Sequence, residues 1–209
     1  INVSLDTLRP ERFAAITGRD RFAGVWEAVM EAVSLGVRVK LNCVPMAGFN
    51  DDEFLDFARL AADYPLDVRF IEMMPIGFGA GFAPVSGSGI LEFLNREFMP
   101  LTAVRESRGN GPARYVRGQG MKGCIGFIEA VNHKFCGACN RVRLTADGQL
   151  KLCLYYDIGV DLREPLRSGC TDEEILRLFQ EGLGLKPMEH HFYSGDSKAD
   201  KKKMSQIGG

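Results

Sequence analysis

Apolar residues recur along this chain with two different periods, and the order in which the periods alternate predicts the fold. Ile1 to Leu5 reads as a short strand that ends in polar Asp6 and Thr7. Phe22, Val25, Trp26, Val29, Met30 and Val33 follow at spacings of three and four, which predicts a helix over 22–35 with one apolar face, stopped by Gly36. Val37 to Val44 alternates again, with Lys40 and Asn42 between apolar neighbours, and reads as a second strand. Asn50 and Glu53 have the spacing of a capping box ahead of a helix that carries Phe54, Phe57, Ala58 and Ala61. Leu66 to Glu72 is a third strand.

This β-α-β-α-β order predicts an α/β fold with a parallel sheet covered by helices. Right-handed crossovers bring the strand C-termini to one edge, where α/β folds bind ligands. That edge carries Ser4, Asp6, Asn42, Glu72, Met73 and Met74. Three strands cannot close a barrel, and the chain opens on Ile1, without methionine and inside an apparent strand. The expectation is therefore a chain whose earlier strands are absent. Gly77 to Gly89 is glycine-rich but lacks the Gly-Lys-Ser/Thr ending of a phosphate loop, and reads as a flexible loop. Ile90, Leu91, Leu94 and Phe98 then mark a short helix closed by Pro100.

From Leu101 the pattern changes to short alternating segments, LTAV, ARYVR, CIGFIEAV, RVRLT and LKLCLYY, separated by turn residues. Asp147-Gly148 between two of them is a strong hairpin signal. A partial barrel over 1–99 and a second domain over 100–209, built on a small antiparallel sheet, is the expected division. Thr171 and Glu174 make a capping box for a last helix bearing Ile175, Leu178 and Phe179.

Composition narrows the function without naming it. A net charge of −1 over 209 residues gives no global field for nucleic acid. No apolar run approaches the ~20 residues of a membrane-spanning helix. Six cysteines are too sparse for a disulfide-stapled scaffold. Cys43 and Cys124, in or beside apolar runs, read as structural thiols, while Cys170 is at most a spare ligand. His190 and His191 read as surface residues, and disorder is the default for the basic tail over 198–209.

The chemistry concentrates in FCGACNRVRLTADGQLKLCLY, residues 135–155. Cys136, Cys139 and Cys153 stand as C-x2-C-x13-C, and a hairpin across Asp147-Gly148 brings the third cysteine back towards the pair. Spacing alone leaves three readings open. A structural zinc needs a fourth ligand, for which His133, Cys124 and Cys170 are candidates. A redox pair leaves Cys153 unexplained. An iron–sulfur cluster on three thiolates leaves one iron open to substrate. Arg141 and Arg143, two apart and so on one face of a strand, favour the last, because arginine forks pair with phosphate oxygens. Read without relatives, the same residues also allow a non-catalytic zinc-binding interaction module.

INVSLDTL, VKLNCV, LDVRFIEMMP, the cysteine segment and the terminal IGG, in that order from end to end, resemble the GTP 3′,8-cyclase family of molybdenum cofactor biosynthesis, which are radical S-adenosylmethionine enzymes. The resemblance implies the C-terminal part of an incomplete (βα)6 radical-SAM barrel followed by a small antiparallel sheet domain. It implies that Cys136, Cys139 and Cys153 hold a 4Fe–4S cluster whose open iron meets the guanine of GTP. Arg141 and Arg143 would flank the nucleotide as catalytic groups with the backbone of Val142 between them, and Lys40 would contact GTP phosphate. Ser4 and Met74 would line the S-adenosylmethionine site, and Gly208 and Gly209 would reach into the active site as catalytic residues. The implied lyase reaction opens molybdopterin biosynthesis. A 5′-deoxyadenosyl radical takes hydrogen from C3′ of GTP, and that carbon bonds to C8 to give 3′,8-cyclo-7,8-dihydro-GTP. The radical comes from a second 4Fe–4S cluster on a C-x3-C-x2-C motif that these residues do not contain, so the chain alone is expected to be inactive. The implied partners are an electron donor, the downstream cyclic pyranopterin monophosphate synthase and a second copy in a homodimer, with no nucleic acid and no membrane. The compartment would be the cytoplasm in a bacterium and the mitochondrial matrix in a eukaryote.

Overall fold

Three parallel strands form where the alternation predicts them: β1 (Asn2–Ser4), β2 (Val39–Cys43) and β3 (Leu66–Ile71). The computed structural model describes residues 1–76, 79, 81–106, 108–132 and 135–190. Two helices precede β2. The first, α1 (Pro10–Thr17), has no counterpart in the periodicity reading; Pro10 opens it and Gly18, at φ 66°, closes it. The second, α2 (Phe22–Ser34), follows the three-and-four spacing.

Helix α3 (Phe54–Asp63) buries Phe54, Phe57, Ala58 and Ala61, as its pattern requires. Its start departs from expectation, since Asn50 and Glu53 do not form a capping box. Asn50 is fully buried; its Oδ1 accepts Met46 N–H at 2.7 Å, and its Nδ2 donates to the carbonyls of Asp6 (2.6 Å) and Val44 (3.0 Å). Glu53, equally buried, accepts the Thr7 hydroxyl and the Leu8 N–H, both at 2.6 Å, and Arg12 at 2.7 Å. The polar groups of the turn after β1 are buried and need partners. These two side chains supply them in place of a helix cap.

The segments beyond residue 100 do not all enter a separate sheet. β4 (Leu101–Ala103), β5 (Arg114–Gly118) and β6 (Ile125–Ile128) join the first one, in the order β1-β2-β3-β6-β5-β4. β6 lies parallel to β3, while β5 and β4 continue antiparallel. Cys124, Ile125 and Phe127 are buried, as suits a strand in the interior of a sheet. Gly123 lets β6 approach: a Cβ there would lie 1.7 Å from the Leu66 carbonyl oxygen. Helix α4 (Gly87–Glu97) starts three residues earlier than predicted because Ser86 caps it, accepting Gly89 N–H at 3.1 Å. The core packs Leu41, Val68, Phe70, Ile125 and Phe127 from one face of the sheet with Val29, Phe57, Ala61, Ile90 and Leu94 from the helices.

The separate antiparallel sheet has three strands, β7 (Arg143–Leu144), β8 (Gln149–Lys151) and β9 (Gly159–Asp161). Gly148, at φ 84°, makes the hairpin turn between the first two. Helix α5 (Arg163–Arg167) follows, and α6 (Asp172–Gly184) starts on the expected Thr171–Glu174 capping box. Leu150, Leu152 and Leu162 form the small core here, with Val142, Val160, Leu178 and Phe179 packed on it. The chain divides into two compact units, Ile1–Met73 with Phe82–His133 and Met74–Gly81 with Lys134–Gly209. The boundary expected near residue 100 thus falls inside the first unit. Among the described residues no helix is long and apolar enough to cross a membrane.

Candidate functional sites in the two units

In the first unit the alternation that buries Val39, Leu41 and Cys43 turns Lys40 and Asn42 to the opposite face of the sheet. Register places Asn2, Lys40 and Asp67 in one cross-strand row, and Ser4, Asn42, Arg69, Gly126 and Tyr115 in the next. The rows are tied together. Arg69 donates from Nε to Asn42 Oδ1 at 2.7 Å and from Nη2 to Asn2 Oδ1 at 2.9 Å. Gly126 leaves room for this, since a Cβ would meet the Tyr115 ring at 2.8 Å and Arg69 Cγ at 3.1 Å.

Arg108 comes from the loop between β4 and β5 and pairs with buried Asp67 through two bonds, Nη2 at 2.7 Å and Nε at 3.1 Å. Its backbone carbonyl accepts the Lys40 ammonium. Both Lys40 and Arg108 lie over the Tyr115 ring, 5.9 and 5.8 Å from its centroid. Burial, followed by repulsion from Arg69, pushes the Lys40 ammonium below its ordinary pKa. The face therefore gathers three cations around one buried carboxylate, an arrangement suited to an anionic ligand. Glu72, at the end of β3, is committed to structure, accepting the N–H groups of Val131 and Asn132 at 2.7 and 3.1 Å.

In the second unit Cys136 to Ala138 forms a single 3-10 turn, closed by Cys139 N–H on the Cys136 carbonyl at 3.0 Å. The C-x2-C pair thus shares one tight turn at the foot of β7. Cys153 follows β8 and packs on the cluster of Ile76, Tyr155 and Tyr156, which also takes Met74. All three thiols are free and half-exposed, whereas Cys43 and Cys124 are fully buried, as structural thiols should be. Arg143 is half-buried in β7. Burial lowers its pKa and Arg141 adds to this, while the sulfurs of Cys139 and Cys153 oppose it, so the guanidinium lies within electrostatic reach of both thiols. It remains a cation at any ordinary pH.

The donor chemistry fits a soft metal centre. A single zinc needs its thiolates converging on one point about 2.3 Å from each sulfur. Among the described residues no three His, Cys, Asp or Glu side chains are grouped to hold an ion.

Arg143 thus lies within electrostatic reach of Cys139 and Cys153, and Met74 packs on the same hydrophobic cluster as Cys153. Ser4 and Lys40 belong to the other unit. Gly208, Gly209, His133 and His191 lie outside the described residues. His190 is not a surface residue: it is 7% exposed, with its ring 6.2 Å from Tyr155. Arg69, Arg108 and Tyr115 were not singled out from sequence. For Arg69 a signal existed, because Asp67 and Arg69 alternate with apolar residues in LDVRFI just as Lys40 and Asn42 do in β2.

A mixed, mainly parallel sheet with helices on its apolar face in one unit, and a three-stranded antiparallel sheet flanked by free thiols in the other, make this an α/β protein of two parts. Residues 66–192 match the family described as Molybdenum Cofactor Synthesis C, and the chain belongs to that family. It is similar throughout to proteins named GTP 3′,8-cyclase. Identity is 45% over 212 residues with that of Moorella thermoacetica and 44% over 213 residues with that of Pelotomaculum thermopropionicum. It is 41% over 209 residues with that of Clostridium perfringens strain 13. Each match covers 100% of this chain and 65% of the relative.

Proposed function

We propose that this chain acts in molybdenum cofactor biosynthesis as a GTP 3′,8-cyclase, in which it supplies the substrate-side metal site and part of the nucleotide site. The observation that carries the reading is the hairpin: three free thiols, with a buried-side arginine in reach of two of them. Cys136, Cys139 and Cys153 hold a 4Fe–4S cluster, which when bound supplies an open iron as a Lewis acid for guanine. Arg143 and Arg141 meet the charged part of GTP through their forks, with the Val142 backbone between them. Lys40 on the polar sheet face adds a cation for phosphate, and the neighbouring Arg69 and Arg108 keep that face positive. Ser4 in the first unit is proposed as an S-adenosylmethionine contact, and Met74 as one in the second. The parallel run β1-β2-β3-β6 with a polar face supports reading the first unit as part of a radical-SAM barrel.

The overall conversion is GTP to 3′,8-cyclo-7,8-dihydro-GTP, begun by a 5′-deoxyadenosyl radical. That radical depends on a second cluster whose C-x3-C-x2-C ligands are not among the 209 residues. These residues alone are therefore proposed to bind GTP without converting it. The test is equilibrium dialysis of GTP against the anaerobically reconstituted chain, with chromatography for product. Arg143→Ala is expected to weaken GTP binding by about tenfold or more, the worth of a charge-assisted hydrogen bond. Binding unchanged by Arg143→Ala would refute the nucleotide site, and cyclised product would refute the need for a second cluster.

A further inference from the structure

We propose that Lys186 is the positioning residue of the three-thiol site, its ammonium fastening together the two arms that carry Cys139 and Cys153. Lys186 Nζ donates to the carbonyl of Arg141 at 2.7 Å and to that of Leu152 at 2.6 Å. The β7–β8 ladder pairs Leu144 with Leu150 and Arg143 with Lys151. Continued by the same register, Val142 would face Leu152 and Arg141 would face Cys153, but the ladder stops short of them. Leu152 N–H is turned to the other neighbour, where it bonds Ile158 at 3.1 Å. Where backbone pairing of the two arms ends, one ammonium bridges a carbonyl from each. Arg141 lies two residues after Cys139, and Leu152 immediately precedes Cys153, so the bridge sits next to the points from which the thiols project.

The position of the ammonium is itself determined by packing. Leu178 and Phe179 of α6 lie on the Leu150, Leu152 and Leu162 core. At Gly182 the helix comes so near β9 that a Cβ would stand 2.8 Å from Val160 Cγ2. The chain then turns through Leu185 N–H to Gly182 at 2.8 Å and Lys186 N–H to Leu183 at 3.2 Å. The sheet that carries the cysteines therefore also anchors the helix that delivers the lysine. An ammonium has three donors and can hold two carbonyls at once, a task that no apolar side chain of similar length can perform. Its charge also complements the thiolates that a metal requires.

The proposal rests on the reading of Cys136, Cys139 and Cys153 as the cluster site, and two readouts separate the failure of one from the failure of the other. The full chain is prepared as wild type, Lys186→Met and Lys186→Arg. Amide hydrogen exchange over 140–154 is measured without metal, and iron with visible cluster absorbance is measured after anaerobic reconstitution. Lys186→Met is expected to speed exchange in both arms by about tenfold and to lower iron per chain by at least about half, with α3 exchange unchanged. Lys186→Arg, whose fork can still reach two carbonyls, is expected to restore most of the iron. Lys186→Met with wild-type exchange and wild-type iron overturns the proposal, as does faster exchange with unchanged iron and spectrum. A wild type that takes up no iron refutes the cluster reading, and exchange in Lys186→Met then decides the bridge on its own. If Lys186→Met does not fold, Lys186→Gln, which keeps one donation, carries the same comparison.

Discussion

Arg108→Met is expected to cost the first unit about 3 kcal/mol. The Asp67 side chain is 2% exposed and receives three donors, Arg108 Nη2 at 2.7 Å, Arg108 Nε at 3.1 Å and Cys124 N–H at 3.1 Å. Methionine fills the space of the arginine stem but leaves a buried carboxylate with a single backbone donor. Removing one partner of a buried pair costs about 3–5 kcal/mol, and the low end applies because the Cys124 bond survives and Arg108 keeps some contact with water. Asp67→Asn should cost less, about 1–2 kcal/mol, since the amide oxygen still accepts and the freed guanidinium can turn to solvent. The double variant has no buried charge and should cost about as much as Asp67→Asn alone, which gives a coupling of about 2–3 kcal/mol. Urea unfolding followed by fluorescence reads this directly. Trp26 is the only tryptophan in the sequence, and it packs on the core of the first unit. Arg108→Met within about 0.5 kcal/mol of wild type, or additive single effects, would refute the claim that this pair is held as a unit.

Three further outcomes are expected. Cys153→Ser should lose most of the iron taken up on reconstitution while Trp26 unfolding stays unchanged; retained iron with an unchanged spectrum would exclude Cys153 as a ligand. Gly123→Ala should yield insoluble chain, because its Cβ would occupy the Leu66 carbonyl oxygen at 1.7 Å, and a soluble variant of normal stability would show that β6 can shift. Burial holds the Asp6 carboxyl above its ordinary value of 3.8, with the Val44 N–H opposing the shift. The folded state then binds that proton more tightly than the unfolded one, so stability falls as pH rises from the unfolded value through the raised one. Asp6→Asn should flatten this slope in urea midpoints, and an unchanged slope would assign it to other groups.

The strands of the first unit could be read from their alternation because one face of each is buried, and period two states which residues share a face. Lys40 and Asn42 were legible for that reason, and Arg69 would have been by the same reasoning applied to β3. Arg108 and Tyr115 were not, because they arrive from a loop and from an antiparallel strand whose place depends on the order of strands in the sheet. A local pattern carries no such information; ARYVR and CIGFI read equally well in a second sheet. Asn50 and Glu53 show a correct spacing with a different use, since the Glu53 carboxylate is taken by the donors of Thr7 and Leu8 rather than by the start of α3. In the second unit the cysteine spacing and the Asp147-Gly148 turn were sufficient to predict the hairpin. Lys186 left no trace in the pattern, because only the packing of α6 against β9 brings it to the two arms.

Whether Cys136, Cys139 and Cys153 hold an iron–sulfur cluster is read from the count of iron and acid-labile sulfide per reconstituted chain. A 4Fe–4S cluster gives about four of each, lost together in the triple cysteine-to-serine variant. One zinc per chain with no labile sulfide would contradict it.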